Sequence, residues 1–328
     1  MKTTHKILLG IGLATSLILS SCSDSFIDIQ PNDKLTLDNF FQSESDLLSA
    51  TAGLYNKVWF DFNDKFYYGL GDGRANNLYA PYSDYIYPFT DLTETSLTGP
   101  LTSAWASFYN VIGQSNNTIN NIKKNAKNVT EEQKNRALAE ARFMRGTAYW
   151  YIASLWGKAI IYERTSDLIN NSAVPPHRAA DVFEFAIRDL EYAAKYLPTT
   201  QSDKGRVTCY SAYGMLSRFY LSMAGITESG EYNGQNIATD PNRGYRNPYY
   251  LDLAKKAALK VINESSYKLM DNYGDLFTYA NNNCQEAMFQ LQWLSGSTDA
   301  IGWGCNQPMQ AFFGWSSMVA DGTNWGNA

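Results

Sequence analysis

The chain has 328 residues, with 27 Lys or Arg, 32 Asp or Glu and a formal net charge of −5. This acidic balance, without any run of basic residues, argues against nucleic acid as a partner. Of the two histidines in the sequence, His5 lies in the N-terminal segment that is predicted below to be a cleaved signal, so the mature chain keeps one, His177. A single histidine argues against catalysis by a histidine pair and against a metal site built from several histidines.

The N-terminus has the pattern of a bacterial lipoprotein signal. Lys2 and Lys6 precede the apolar run Ile7–Leu19, which is too short to span a bilayer, and Leu-Ser-Ser-Cys closes the run at Cys22. The alternative is an ordinary signal peptide in which the cysteine occurs by chance. We expect Cys22 to be lipidated and to anchor the protein in a bacterial membrane. Ser23-Asp24 follows the cysteine, and an acid at this early position suggests the outer membrane, exposed at the cell surface.

After this signal the sequence predicts a tether and a single folded domain. The predicted organisation is a signal peptide, a lipidated tether and one helical domain, over 1–21, 22–39 and 40–328. No second apolar stretch of membrane-spanning length follows in the sequence, so lipid is the only anchor that we predict.

Helical periodicity dominates the middle of the chain. Apolar residues recur on one face in the segments 104–126, 131–156, 179–197, 209–224 and 249–264. Thr130 and Gln133 have the spacing of a capping box, and Gly157 is a typical helix stop. The pattern predicts an all-α core with no sheet beyond a few short strands.

Three long aromatic segments interrupt the helices, and we predict non-helical insertions there. They cover 61–102, 226–248 and 293–328. Loops of this length in a compact domain are often functional.

The aromatic run Tyr79–Phe89 suggests a site for sugars. A sugar ring needs a flat aromatic ring to stack on, and its hydroxyls need Asp, Asn or Arg side chains. The expected stacking residues are Tyr79, Tyr82, Tyr85, Trp293 and Trp303, and the expected hydroxyl contacts are Asp72, Arg74 and Asn77. The alternative, that these aromatics pack the insertions onto the helices, stays open at this point.

The remaining polar and sulfur residues favour structural roles. His177 is expected at the surface near a helix start, and Arg142 and Arg145, close to Glu140, are expected to form structural ion pairs. A disulfide between Cys284 and Cys305 is chemically possible outside the cytoplasm. Buried free thiols, including Cys209, are the alternative.

No metal, cofactor or catalytic centre is predicted. The segment Asp61–Asp64 begins like a calcium loop, but Lys65 and Phe66 stand where an oxygen ligand and a glycine are needed. No nucleophile-elbow or zinc-protease motif occurs in the sequence.

Several blocks resemble the SusD/RagB family of outer-membrane lipoproteins, and they occur in the family's order. The blocks are Cys22–Pro31, Asn39–Phe41, Ala50–Tyr55, Ala139–Trp150, Asp189–Pro198, Gly205–Thr208, Tyr267–Leu269 and Gly274–Phe277. The resemblance runs from Cys22 to about Trp293. Lys158-Ala159-Ile160 lacks a proline that the family often has after the preceding glycine. The chain ends at Ala328, whereas family members usually continue, so it resembles a C-terminally incomplete member.

The resemblance implies a solenoid of tetratricopeptide-like helical pairs, with the long insertions forming the ligand face. It also implies a non-enzymatic protein that binds oligosaccharides and delivers them to a SusC-like TonB-dependent transporter. The alternatives are a helical scaffold lipoprotein and a lipid-anchored glycoside hydrolase. The sequence leaves open which glycan or peptide is bound.

Overall fold

The computed structural model describes residues 40–78, 85–169, 171, 173–228, 231–232 and 247–293. Contacts within the chain separate the unit Met1–Phe40 from the unit Phe41–Ala328, and the fold described below is that of the second unit. The predicted signal peptide, Cys22 and the predicted tether lie outside the described residues.

Most of the described residues lie in α-helices. These are α1 Glu44–Ala52, α2 Tyr87–Thr90, α3 Gly99–Asn125, α4 Glu131–Trp156, α5 Ser166–Ile169, α6 Ala179–Tyr196, α7 Cys209–Ile226 and α8 Pro248–Glu264. Tighter 3-10 turns cover Gly53–Tyr55, Lys57–Trp59, Tyr273–Phe277 and Tyr279–Asn281, and wider π-helical turns cover Phe62–Phe66 and Gly69–Gly73.

Strand structure in the described ranges is minimal. The strands β1 Thr227–Glu228 and β2 Glu231–Tyr232 pair antiparallel, with Thr227 opposite Tyr232. One isolated bridge joins Ala159 to His177 just before α6. The all-α prediction is therefore confirmed.

The long helices pack side by side in chain order. Helix α3 packs on α4, α4 on α6, α6 on α7, and α7 on α8, which is the tetratricopeptide-like arrangement of stacked helical pairs. At Gly146 of α4, an added Cβ would lie 2.4 Å from Cδ2 of Leu190 on α6. Because glycine has no side chain, the two helices can approach closely at this point.

Most predicted helix boundaries agree with the structure to within two residues. Helix α4 begins with the predicted capping box, in which Thr130 Oγ1 accepts from the Gln133 N–H and Gln133 Oε1 accepts from the Thr130 N–H. Helix α3 begins earlier than predicted, at Gly99, because Pro100 suits the first helical turn.

The prediction of a non-helical insertion over 61–102 is wrong. This segment contains both π-helical turns, helix α2 and the first residues of α3. Helix α1 was not predicted either, although Ser43 and Asp46 form a capping box at its start. Its periodicity is weak because only Leu47 and Thr51 of this helix are buried.

Two ion pairs with buried carboxylates stabilise the packing of α4. Arg145 on α4 donates to both carboxylate oxygens of Asp189 on α6, at 2.7 and 2.8 Å, and Arg142 lies 3.6 Å from the same carboxylate. Arg206 lies 2.7 Å from the buried carboxylate of Glu140. The predicted structural role of these charges is confirmed.

Candidate functional site

The candidate site begins on a turn-rich segment, residues 57–78, that is fixed to the helices by aromatic packing. The Phe62 ring lies 4.7 Å from Phe108 of α3 and 5.0 Å from Tyr151 of α4, measured between ring centroids. Phe66 stacks on Trp156 at 5.8 Å. Phe62 and Phe66 are buried, so these two rings pack the segment onto the helices.

Helix α2 rests on the second π-helical turn. Gly69 makes this contact possible, because a Cβ there would lie 2.8 Å from Cδ2 of Phe89. Ile86, just before α2, is buried with Tyr68, and Leu78 packs against this pair. These contacts fix the backbone on both sides of residues 79–84, which themselves lie outside the described residues.

The predicted polar residues lie close together in the chain, Asp72 within the π-helical turn Gly69–Gly73 and Arg74 and Asn77 just after it. Asp72, Arg74 and Asn77 are all exposed. The Asp72 carbonyl accepts from the N–H groups of Asn77, at 2.9 Å, and of Leu78, at 3.2 Å. Arg74 forms an ion pair with Glu94. The turn therefore presents a carboxylate and an amide on a hydrogen-bonded backbone.

Exposed tyrosines lie close to this polar turn in the chain. Tyr85, next to the buried Ile86, is 49% exposed, so the predicted stacking role is sterically open to it. Tyr67 is also 49% exposed and Tyr87 is 40% exposed. Tyr67 lies between the aromatic residues Phe66 and Tyr68, which are buried, and no sequence signal separates the exposed ring from its two neighbours. Tyr79 and Tyr82 lie outside the described residues.

Trp293 contacts the other end of the same segment. It is partly buried and meets Phe60 edge to face, with ring centroids 6.2 Å apart and planes at 73°. The preceding residue, Gln292, donates its backbone N–H to the Tyr55 carbonyl at 2.9 Å. Trp303 and the rest of 294–328 lie outside the described residues. Trp293 thus contacts the beginning of the segment 57–78, whereas the polar turn lies at the end of that segment.

Tyr68 is a buried ionisable residue beside the polar turn. Burial raises the pKa of the Tyr68 phenol above its ordinary value of 10.0, and the Asp64 carboxylate raises it further. This phenol is therefore neutral at physiological pH. Among the residues that the structure describes, no cluster of His, Cys, Asp or Glu has the arrangement of a metal site.

The structure describes the surroundings of His177 and of two cysteines. His177 is exposed two residues before α6, as predicted, and its Nδ1 accepts from the Ile161 N–H at 3.2 Å. Cys209 is a buried free thiol and Cys284 a partly buried one, while Cys305 lies outside the described residues.

Within the described ranges, no helix combines the length and the apolarity that crossing a membrane requires.

Comparison with known proteins identifies the family. A SusD-like family model, described as "Starch-binding associating with outer membrane", matches residues 25–221. A SusD-like protein of Bacteroides ovatus is 39% identical over 282 residues, which make up 85% of this chain and 48% of that protein. The starch-binding protein SusD of Bacteroides thetaiotaomicron is 29% identical over 164 residues, covering 50% of this chain and 25% of that protein.

Solved structures agree with the sequence comparison. A crystal structure determined with a xylogluco-oligosaccharide is 37% identical and superposes with a TM-score of 0.73, covering 86% of this chain and 52% of that one. The chain thus spans about half the length of this protein and of the Bacteroides ovatus relative. The family model covers more than half of the chain, and the chain therefore belongs to the SusD-like family.

Proposed function

We propose that this protein binds oligosaccharides through the polar turn 72–78 with Tyr85, at one end of the segment 57–78, and through Trp293 at its other end. It then delivers them to a SusC-like TonB-dependent transporter in the outer membrane. The lipid on Cys22 holds it at the cell surface beside that partner. The observation that carries the proposal is the exposure of Tyr85 together with Asp72 and Asn77 on a scaffold fixed by buried aromatics.

The chemistry of this surface suits a sugar. The axial C–H groups of a pyranose ring pack on a tyrosine or tryptophan ring, while its rim hydroxyls donate to a carboxylate and exchange hydrogen bonds with an amide. Because Tyr85 is exposed and Trp293 only partly buried, sugar rings can reach both. Arg74 is held by Glu94, so it presents a guanidinium that is oriented before the ligand arrives.

The similar structure determined with a xylogluco-oligosaccharide supports the choice of ligand class. We therefore take xylogluco-oligosaccharides as the first ligands to test. Aromatic stacking contributes about 0.5–1.5 kcal/mol per good contact beyond area burial. Two or three such contacts, opposed by the cost of association, give a Kd of about 10⁻⁶ to 10⁻³ M. Weak and rapidly reversible binding suits a protein that releases its ligand to a transporter.

Binding without cleavage is part of the proposal. Glycoside hydrolysis needs two carboxyl groups on either side of the scissile bond. The buried carboxylates of Glu140 and Asp189 are engaged by Arg206 and Arg145 and brace helix contacts. Their roles in packing support a structural function for these acids.

Single substitutions test this surface. Calorimetric titration with a xylogluco-oligosaccharide compares the wild type with Asp72→Ala, Asn77→Ala, Tyr85→Ala and Trp293→Ala. Each should weaken binding by about three- to tenfold, since a net hydrogen bond or stacking contact contributes roughly 1 kcal/mol. The matched control is Tyr279→Ala, which removes an aromatic side chain that is 83% exposed and belongs to another part of the chain.

The melting temperature of each variant separates binding from folding. The proposal expects unchanged melting, weakened binding in the site variants and wild-type affinity in the control. If all four site variants keep wild-type affinity, or if each of them unfolds, the site lies elsewhere and the assigned surface is wrong.

A further inference from the structure

The backbone just before Trp293 is held from both sides by the turn that contains Tyr55 and Asn56. The Gln292 N–H donates to the Tyr55 carbonyl at 2.9 Å, and the Asn56 side-chain amide donates to the Gln292 carbonyl. Phe60, the ring that Trp293 meets, follows this turn in the chain. The short segment 55–60 therefore both holds the backbone before Trp293 and supplies Phe60, the ring that Trp293 contacts.

Hydrogen bonds fix the Gln292 side chain as well as its backbone. Its Oε1 accepts from Asn283 Nδ2 at 2.9 Å, and its Nε2 donates to Asn283 Oδ1 at 2.9 Å. Nε2 also lies 3.0 Å from the Gln290 carbonyl, and the Asn283 N–H donates to Gln290 Oε1 at 3.1 Å. We call Asn283, Gln290 and Gln292 the amide latch.

Backbone conformation and close packing both favour this arrangement. Asn283 has a φ of 56°, in the left-handed region that asparagine tolerates better than most residues. On its other side the Gln292 amide lies against Gly205, where an added Cβ would be 2.7 Å from Gln292 Cδ. Gly205 has a φ of +93°, a conformation natural to glycine.

We infer that Asn283 is a positioning residue for Trp293: it locks the Gln292 amide and so fixes the backbone that carries the tryptophan ring before any ligand arrives. This inference rests on the proposed function, in which Trp293 stacks on a sugar. A ring that is already oriented loses less conformational freedom on binding, so affinity rises without a new contact to the ligand. Asn283 acts only through Gln292 and Trp293.

The test uses Asn283→Ala, with Asn282→Ala as its matched control. Asn282 is the adjacent asparagine and is exposed. Two quantities are measured: the affinity for a xylogluco-oligosaccharide, and the fluorescence of Trp293 isolated as the difference between proteins with Trp293 and the same proteins carrying Trp293→Phe. The fluorescence needs no ligand, so it reports on the amide latch whether or not the chosen glycan binds.

Asn283→Ala should weaken binding by about three- to tenfold, as expected for the loss of a hydrogen-bonded pair. It should also move the Trp293 emission to longer wavelength, because a mobile ring meets more water. Asn282→Ala should change neither quantity. If Asn283→Ala melts below the assay temperature, Gln292→Met, which removes the amide pair but keeps the backbone bonds, is measured in its place.

Wild-type affinity in Asn283→Ala, or weaker binding with unchanged Trp293 emission, would overturn the inference. Full binding by Trp293→Ala would instead overturn the role of Trp293 in the proposed function. The two failures are distinguishable because the emission of Trp293 and the effect of its removal are measured separately.

Discussion

The guanidinium of Arg145 meets the carboxylate of Asp189 in a two-point contact, Nε to Oδ2 at 2.7 Å and Nη2 to Oδ1 at 2.8 Å, across the buried interface of α4 and α6. Asn116 of α3 joins the contact through its Oδ1, which accepts from Arg145 Nη1 at 2.7 Å. Three successive helices of the array are therefore connected through one side chain. This contact lies within the helix stack, whereas the candidate site lies on the 57–78 segment and at Trp293.

Removing one partner of this pair should be costly. Asp189→Ala leaves the Arg145 charge buried without its carboxylate, and we expect a loss of about 3–5 kcal/mol in the free energy of unfolding. Arg178→Ala is the control, because its pair with Asp181, at 2.8 Å, is exposed and should contribute less than about 1 kcal/mol. Urea unfolding measures both variants, and equal losses would contradict the structural role assigned to Arg145 and Asp189.

Gly146 should not accept even a methyl group. In Gly146→Ala the new Cβ would lie 2.4 Å from Leu190 Cδ2 and 2.9 Å from the Ala186 carbonyl oxygen, so α4 and α6 must separate, at a cost of about 1–3 kcal/mol. Gly113→Ala in α3 is the matched control, since its Cβ would meet only Tyr162 Oη at 3.4 Å. The control should gain up to about 1 kcal/mol from helix propensity. Destabilisation of both variants to the same extent would refute the close helix contact.

The free energy of unfolding should decrease in alkaline solution, because buried tyrosine phenols keep their protons to higher pH than phenols of the unfolded chain. Burial, above all, raises the pKa values of Tyr55, Tyr68 and Tyr149 above the ordinary value of 10.0. At high pH the unfolded chain therefore releases protons that the folded chain keeps. The stability contributed by these groups is complete below pH 10.0 and is lost as the pH rises above that value.

Tyr68→Phe tests this alkaline dependence. The variant should reduce the slope of unfolding free energy against pH by about 1.4 kcal/mol per unit above pH 10, because one titrating group is gone. Tyr279→Phe, which makes the same substitution at an exposed position, is measured alongside as the comparison. An identical slope in Tyr68→Phe would show that its phenol does not contribute.

Cys22→Ala should release the protein from membranes. The prediction rests on the Leu-Ser-Ser-Cys sequence at the end of the apolar run and on lipid as the only predicted anchor. Cell fractionation in a strain that lacks the partner transporter should find the wild type with the membranes and the variant in the soluble fraction. A variant that still fractionates with membranes would disprove anchoring by this lipid alone.

Sequence patterns predict the helical array well because each long helix buries one face. Helix α6 has a regular apolar stripe from Val182 to Ala193, and Pro198 follows it closely. The sequence therefore predicts both this helix and the position of its end. No such pattern predicts the π-helical turns Phe62–Phe66 and Gly69–Gly73. Their irregular spacing of aromatics and glycines has the composition of a loop. Their packing is long-range: Phe62 contacts α3 and α4, and Gly69 contacts Phe89 of α2.

The candidate site was predictable in part. Residue chemistry pointed to Asp72, Asn77 and Tyr85, which are exposed. It could not separate the exposed Tyr67 from the buried Tyr68, because neighbouring residues of one type look alike until the backbone is built. Contacts such as that between Asn56 and Gln292 join residues 236 positions apart, and no local pattern reveals them.

The most direct test of the central claim is calorimetric titration of the mature chain, with Cys22 replaced by Ala, against a panel of oligosaccharides that includes a xylogluco-oligosaccharide. The account predicts saturable binding of at least one of them with a Kd of about 10⁻⁶ to 10⁻³ M, and no new reducing ends after prolonged incubation. Failure to bind any oligosaccharide of the panel, or cleavage that is lost when one Asp or Glu is replaced, would contradict it.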